Sequence, residues 1–199
     1  MKEHPMTVNS LGPGVNILDP RVKNRQMRWH VLFDMIEDNK FNKIVEVGSQ
    51  EGRTPWYILA NTSRPGVEVH CVDPYEVYDN YGYIEPFVMS DVEKKARYYL
   101  SEFIENGSCF MHKKYSVDAC NNFDDSSLDL VFIDANHTYD YVKEDIECWY
   151  PKIRNGGILS GHDYREPAFP GVERAVNEYF IPISKDVEVT HNNVWYVEK

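Results

Sequence analysis

Two groups of side chains in this sequence are of types that do chemistry. The first is Asp134, His137, His162 and Asp163. Carboxylates are hard oxygen donors suited to Mg2+, with waters and substrate oxygens completing its shell. Asp134, His162 and Asp163 therefore form a candidate metal set, and such an ion would orient an acceptor hydroxyl and lower its pKa. His137 or His162 can instead act as a general base with no metal. In a third reading, His137 and Asp163 are structural hydrogen-bonding groups. The sequence leaves all three readings open. The second group is Glu46-Val47-Gly48-Ser49-Gln50-Glu51-Gly52, with Asp73 downstream. Glycines let the backbone turn tightly and approach a ligand. A helix starting after Gly52 offers free N–H groups and the positive end of its dipole, where a carboxylate or phosphate would sit well. Asp73 is placed to accept the hydroxyls of a ribose.

These residues need a scaffold that brings them together. Lys43–Val47 reads as a first strand feeding the glycine loop. Thr54 can cap the helix that follows, with Pro55 at its first position. Val67–Val72 is a second strand, ended by Asp73-Pro74 because proline cannot continue a central ladder. Ser108–His112 is a third. Leu128–Ile133 is nearly all apolar, as buried parallel strands are, and it delivers Asp134. Gly156-Gly157 turns into Ile158–Gly161, which delivers His162 and Asp163. Adjacent parallel strands carry their C-terminal ends on one edge, so the first group is expected to converge there.

Helical periodicity falls between the strands. Trp29, Leu32, Phe33 and Ile36 mark a helix over 21–39. Val92, Ala96, Tyr99, Leu100 and Phe103 mark another, closed by Asn106-Gly107. Val142, Ile146 and Trp149 mark a third, and Val172, Ala175, Val176 and Tyr179 a fourth. The last residues read as two strands around His191-Asn192-Asn193, a hairpin signal. This alternation predicts one α/β domain over 1–199: a doubly wound, mostly parallel seven-stranded sheet with a C-terminal antiparallel hairpin. Residues 1–20 look irregular. The stretch 75–89, with Tyr75, Tyr78, Tyr81, Tyr83 and Phe87, lacks a clean period. It reads either as an aromatic lid or as cover for a core edge.

Glu46-x-Gly48-x-x-x-Gly52 with Asp73 resembles the S-adenosylmethionine site of class I methyltransferases. The run Phe132-Ile133-Asp134-Ala135-Asn136-His137-Thr138-Tyr139, then Asp145, Gly156-Gly157 and Gly161-His162-Asp163-Tyr164, narrows this. It resembles small methyltransferases whose fourth strand ends in Asp-x-x-His-x-Tyr and fifth in Gly-His-Asp. The resemblance covers residues 28–198, and the final hairpin matches the antiparallel seventh strand of that Rossmann-like fold. It implies that Glu46 and the Gly48–Gly52 backbone, Ser49 included, hold the methionine end of the cofactor. It places Asp73 on the ribose, Pro74 and Tyr75 beside the adenine, Ser116 near the adenine edge and Asp134 near the sulfonium. Some O-methyltransferases hold a metal ion with acidic residues at the same strand ends, although His162 departs from the usual acid or amide. The implied reaction is methyl transfer from S-adenosylmethionine to a small molecule, mainly to oxygen.

Composition restricts the alternatives. The net charge is −11, from 32 acidic and 21 basic residues, and no Lys/Arg cluster appears. A nucleic-acid partner, which needs a basic face, is therefore not expected. No apolar run approaches the roughly 18 residues that span a bilayer, and the first residues lack a signal peptide's apolar core. A cytoplasmic protein without a membrane partner is expected, and a homodimer is compatible with it. Cys71, Cys109, Cys120 and Cys148 form no C-x-x-C pair and read as reduced, buried thiols. Three other classes remain in play. A nicotinamide-dependent oxidoreductase is disfavoured because Gln50 replaces the second glycine of G-x-G-x-x-G. A metal-assisted enzyme of other chemistry is kept open by Asp134, His162 and Asp163. A binding module without catalysis is disfavoured by the intact Glu46, Gly48, Gly52 and Asp73.

Overall fold

The apolar runs of this sequence become adjacent strands. In a computed structural model, residues 27–76, 89–190 and 192–199 are described. The strands are Lys43–Val47 (β1), Glu68–Val72 (β2), Cys109–His112 (β3), Leu128–Ile133 (β4), Ile153–Gly161 (β5), Glu188–Val189 (β6) and Trp195–Glu198 (β7). They form one seven-stranded sheet in the order β3-β2-β1-β4-β5-β7-β6. The pairs among β1 to β5 are parallel, and β7 runs antiparallel to both β5 and β6. This is the predicted doubly wound sheet with its antiparallel end.

Side chains on β4 alternate between two cores, as the pleat requires. Leu130 and Phe132 pack with Leu32, Ile36, Ile44 and Ile58. These include residues of α1 (Arg28–Asp38) and α2 (Arg53–Asn61). Val131 and Ile133 face the other way, with Val142, Ile146, Trp149 and Val176. That layer is built on α5 (Ser116–Cys120), α6 (Tyr139–Trp149) and α7 (Pro170–Phe180). Each face buries a full apolar layer, so the central strands show no polar side to solvent.

Several details depart from the sequence reading. Gly52, not Thr54, caps α2, and Pro55 occupies its third position. Thr54 turns inward and is buried. The helix expected over Val92 to Phe103 breaks at Leu100 into α3 (Met89–Tyr99) and α4 (Ser101–Glu105). The short α5 was not predicted. β5 begins before Gly156-Gly157, because the register against β4 shifts between Leu128 and Leu130 and absorbs those glycines inside the strand. Cys71 and Cys109 are free and buried as expected. The expectation for the other two cysteines is corrected: Cys120 and Cys148 form a disulfide, with Cα atoms 6.4 Å apart. Packing of α5 against α6 brings them together across 28 residues of sequence, a distance at which spacing gives no sign. Residues 1–20, 21–26 of the first predicted helix and 77–88 of the aromatic stretch lie outside the described residues. Tyr75, Glu76 and Met89 are what is described of the expected lid.

Candidate functional site

The site lies where β1 and β4 end side by side. Gly48 leaves β1 at φ +89°, with its N–H donating to Val72 O at 2.8 Å. A Cβ there would overlap the backbone carbonyl of Asp134 and lie 2.6 Å from Ala135 Cα. Only glycine fits a position with both that φ and that crowding. The loop continues through Gln50 at φ +44°. Asp73, at the end of β2, ties it down. Its Oδ2 accepts from Gln50 N–H at 2.9 Å and its Oδ1 from Tyr75 N–H at 2.8 Å. The Tyr75 hydroxyl donates to Gln50 O at 3.2 Å. Burial pushes the Asp73 carboxyl up from its ordinary value, while the two N–H bonds pull it down. Pro74 and Ser49 are also buried in this loop.

Glu46 is 3% exposed, beneath the glycine loop. Burial raises its pKa to about 8, opposed by the charge of Arg28 and a hydrogen bond from Thr54. Its Oε2 is buried with no hydrogen-bond partner. A buried acceptor without a donor costs free energy unless a ligand supplies one. These features fit the methionine end of a sulfonium nucleoside: a loop with no Cβ at Gly48, an unpartnered acid below it and Asp73 on the next strand.

The second group converges as predicted. Asp134 N–H donates to Val47 O at 2.8 Å, and His162 N–H to Ile133 O at 3.1 Å, which fixes both strand ends. His137 Nε2 lies 2.7 Å from Asp163 Oδ2 and 3.5 Å from Asp134 Oδ1. His162 Nδ1 lies 3.1 Å from Asp163 Oδ1 and 3.9 Å from Asp134 Oδ1. Asp163 adopts φ +59°, a left-handed conformation. Burial pulls the pKa of His137 down, but the carboxylates of Asp134 and Asp163 overcome this and raise it to about 9. Burial works against ionisation of Asp163 too, yet its bonds to His137 and His162 hold it well below the usual carboxylate range. One ligand atom from each of Asp134, His162 and Asp163 can be chosen so that all lie within 4.8 Å of one another, close enough for one small cation.

Ser116 begins α5. Its hydroxyl accepts from Trp149 Nε1 at 2.8 Å and bonds the buried Asp145 carboxyl. The side chain is thus occupied by packing, and what it can offer a ligand is backbone.

Three participants escaped the sequence reading. Arg28 Nε approaches Asp134 Oδ2 to 2.8 Å, and Asp134's charge raises the pKa of the guanidinium. Phe169 stacks on the His137 ring at 4.4 Å between centroids. Asn136 is buried, its Oδ1 accepting from Thr138 N–H while its Nδ2 has no partner. Asn136 lay inside the motif, and its small polar side chain after a buried strand was the available signal. Arg28 and Phe169 carry none, since their contacts span long stretches of chain.

A family described as a methyltransferase domain matches residues 45–164. An uncharacterized protein of Acanthamoeba polyphaga mimivirus is 26% identical over 162 residues, 75% of this chain and 67% of that protein. An uncharacterized protein of Sinorhizobium fredii is 37% identical over 51 residues, which are 26% of this chain and 6% of the rhizobial one. Among solved structures, a Corynebacterium glutamicum protein superposes with a TM-score of 0.62 at 17% identity, covering 85% of this chain and 80% of its own. An O-methyltransferase from Bacillus cereus, in complex with SAH, gives 0.58 at 16% identity, with 85% and 79% covered. At these identities the structural likeness speaks to fold.

Proposed function

The chain belongs to a family of methyltransferase domains, and from that premise we propose that it moves the methyl group of S-adenosylmethionine to a hydroxyl oxygen of a small molecule. The observation that carries this is the convergence of Asp134, His137, His162 and Asp163 on the edge that also bears the glycine loop. Glu46 and the Gly48–Gly52 backbone would hold the methionine end. Asp73 would bind the ribose hydroxyls, with Pro74 and Tyr75 beside the adenine. The sulfonium supplies an activated methyl group, so the protein's share is alignment and removal of a proton.

His162 is the base best supported. Its Nδ1 is within reach of Asp163 Oδ1. If the proton sits on Nδ1, Nε2 keeps a lone pair for the acceptor hydroxyl. His137, cationic at neutral pH, holds Asp163 in place from the other side. Asp134 and Asp163 already face two cations, Arg28 and His137. A Mg2+ ion would add its charge beside these two cations. The 4.8 Å grouping of Asp134, His162 and Asp163 favours the metal as the second reading.

Calorimetry with S-adenosylmethionine and S-adenosylhomocysteine tests the cofactor. Both should bind, and Asp73→Ala should lose roughly tenfold or more. Absence of binding, or unchanged affinity in Asp73→Ala, would remove the cofactor assignment. Turnover should survive a chelator and fall roughly a hundredfold or more in His162→Ala. Loss with chelator and recovery with added Mg2+ would put the metal reading in its place.

A further inference from the structure

α5 is a helix of five residues, too short to hold its own shape in water. It must be held from outside, and α6 does this at both ends. At the start of α5, the Ser116 hydroxyl accepts from Trp149 Nε1 at 2.8 Å and bonds the buried Asp145 carboxyl. At its last residue, the disulfide ties Cys120 to Cys148. Ala119 and Cys120 also pack in one core with Val72, the last residue of β2 before Asp73. On its other side α5 borders the segment read as the adenine side of the cofactor site. Tyr115, which caps the start of α5, reaches across with its hydroxyl and donates to Glu76 Oε2 at 2.5 Å. Glu76 follows Pro74 and Tyr75, and the Tyr75 N–H is itself held by Asp73. A continuous path of contacts thus joins the disulfide, α5 and residues 74–76. The disulfide is also open to attack from one side, since Cys120 is 1% exposed whereas Cys148 is half-buried.

We propose that the Cys120–Cys148 disulfide is a redox switch on adenine binding. Oxidised, it fixes α5 against α6 and keeps the wall at 74–76 in place. Reduced, it frees the end of α5 and weakens the hold on the cofactor. This rests on the reading that 74–76 lies beside the adenine of S-adenosylmethionine. A small thiol drives the change. Its thiolate attacks Cys148 Sγ, the S–S bond breaks, and Cys120 leaves as a thiolate that takes up a proton. A second thiolate attacks the sulfur that the first one brought. Cys148 leaves as a thiolate, which is protonated, and the two reagent thiols depart joined as a disulfide. Two electrons and two protons pass to the protein. The Ser116 tie survives reduction, so the loss of affinity is partial.

The test is calorimetry with S-adenosylhomocysteine on the oxidised protein and on protein reduced with dithiothreitol, with circular dichroism to show that both are folded. Reduction should weaken binding roughly five- to tenfold. Adenosine, which lacks the methionine end, should lose the same factor. Cys148→Ser should bind at the reduced level whether or not dithiothreitol is present. Equal affinity of the two forms, even with a lower melting temperature on reduction, would make the disulfide a staple for stability alone and overturn the proposal. A loss for S-adenosylhomocysteine that adenosine does not share would overturn it too, because the effect would then lie away from the adenine. If neither the reduced protein nor Cys148→Ser folds, Tyr115→Phe with the disulfide intact decides. It should bind S-adenosylhomocysteine about threefold more weakly, and unchanged affinity rejects the path through Glu76. Protein that binds neither ligand in either state rejects the cofactor reading itself, a different failure.

Discussion

Glu46 holds a carboxyl group where water cannot solvate its charge, so in the unliganded protein it is largely protonated at pH 7. An ammonium group placed on it would favour the anion. Cofactor binding at pH 7 should therefore release up to about one proton. The binding enthalpy should then differ between phosphate and Tris buffers, and Glu46→Gln should abolish that difference. Identical enthalpies in the two buffers would count against an ionised Glu46 in the complex. His137 works in the opposite sense. Its pKa rises from about 6.5 in the unfolded chain to about 9 in the fold, so its proton stabilises the folded state. That contribution is complete below about pH 6.5 and is lost as pH rises through 9. The melting temperature should fall across that window, and His137→Asn should flatten the fall. At this scale the sequence showed a good deal. Asp134, His162 and Asp163 could be grouped because each follows an apolar run that had to be a buried strand. Arg28 could not, because nothing near it in the chain records that α1 will carry it to Asp134.

The link between β1 and β4 shows what elements demand of single residues. The two strands close together at Gly48, where a methyl group would meet the Asp134 carbonyl at a φ of +89°. Gly48→Ala should cost on the order of 2 kcal/mol or more in urea unfolding, through both overlap and strain. A variant as stable as the parent would mean that the strand ends can part freely. Between α5 and α6, Trp149 Nε1 donates to Ser116, whose hydroxyl also bonds the buried Asp145. Burial raises Asp145 to about 7, partly offset by Ser116, so this carboxyl destabilises the fold increasingly from about pH 4 up to 7. Asp145→Asn should then be more stable than wild type at pH 8 by about 1–3 kcal/mol, with the gain vanishing near pH 4. Denaturant titrations at the two pH values measure both. The central strands β1, β2 and β4 were legible because pleated, doubly covered elements write themselves as apolar runs, whereas the short β6 and β7 were read from the turn residues between them. The break at Leu100 was not legible, because the apolar period continues across it. Its buried side chain sits under Gly52, and that tertiary contact is absent from local pattern. The glycine pair in β5 read as a turn because only its partner strand reveals a bulge.

Over the whole molecule, the net charge of −11 opposes association with phosphate backbones. Gel-shift assays with DNA and RNA should show negligible retardation at 50–150 mM salt, on the order of physiological ionic strength. Tight, salt-sensitive binding would reveal a basic face that the totals conceal. Among the described residues no helix is long and apolar enough to cross a membrane. Fold class was the most legible property of all, since it depends on the sum of many apolar runs and on no single contact. The strand order also has a consequence for synthesis. β1 pairs with β2 on one side but waits for β4 on the other, and β4 is made only after residues 48–127 have been added. A nascent chain emerging from the ribosome therefore presents the bare edge of β1, with Ile44 and Val45 beside it, for as long as that stretch takes to translate. Unpaired apolar strand edges recruit other chains, so this is the interval in which the growing polypeptide most needs a chaperone.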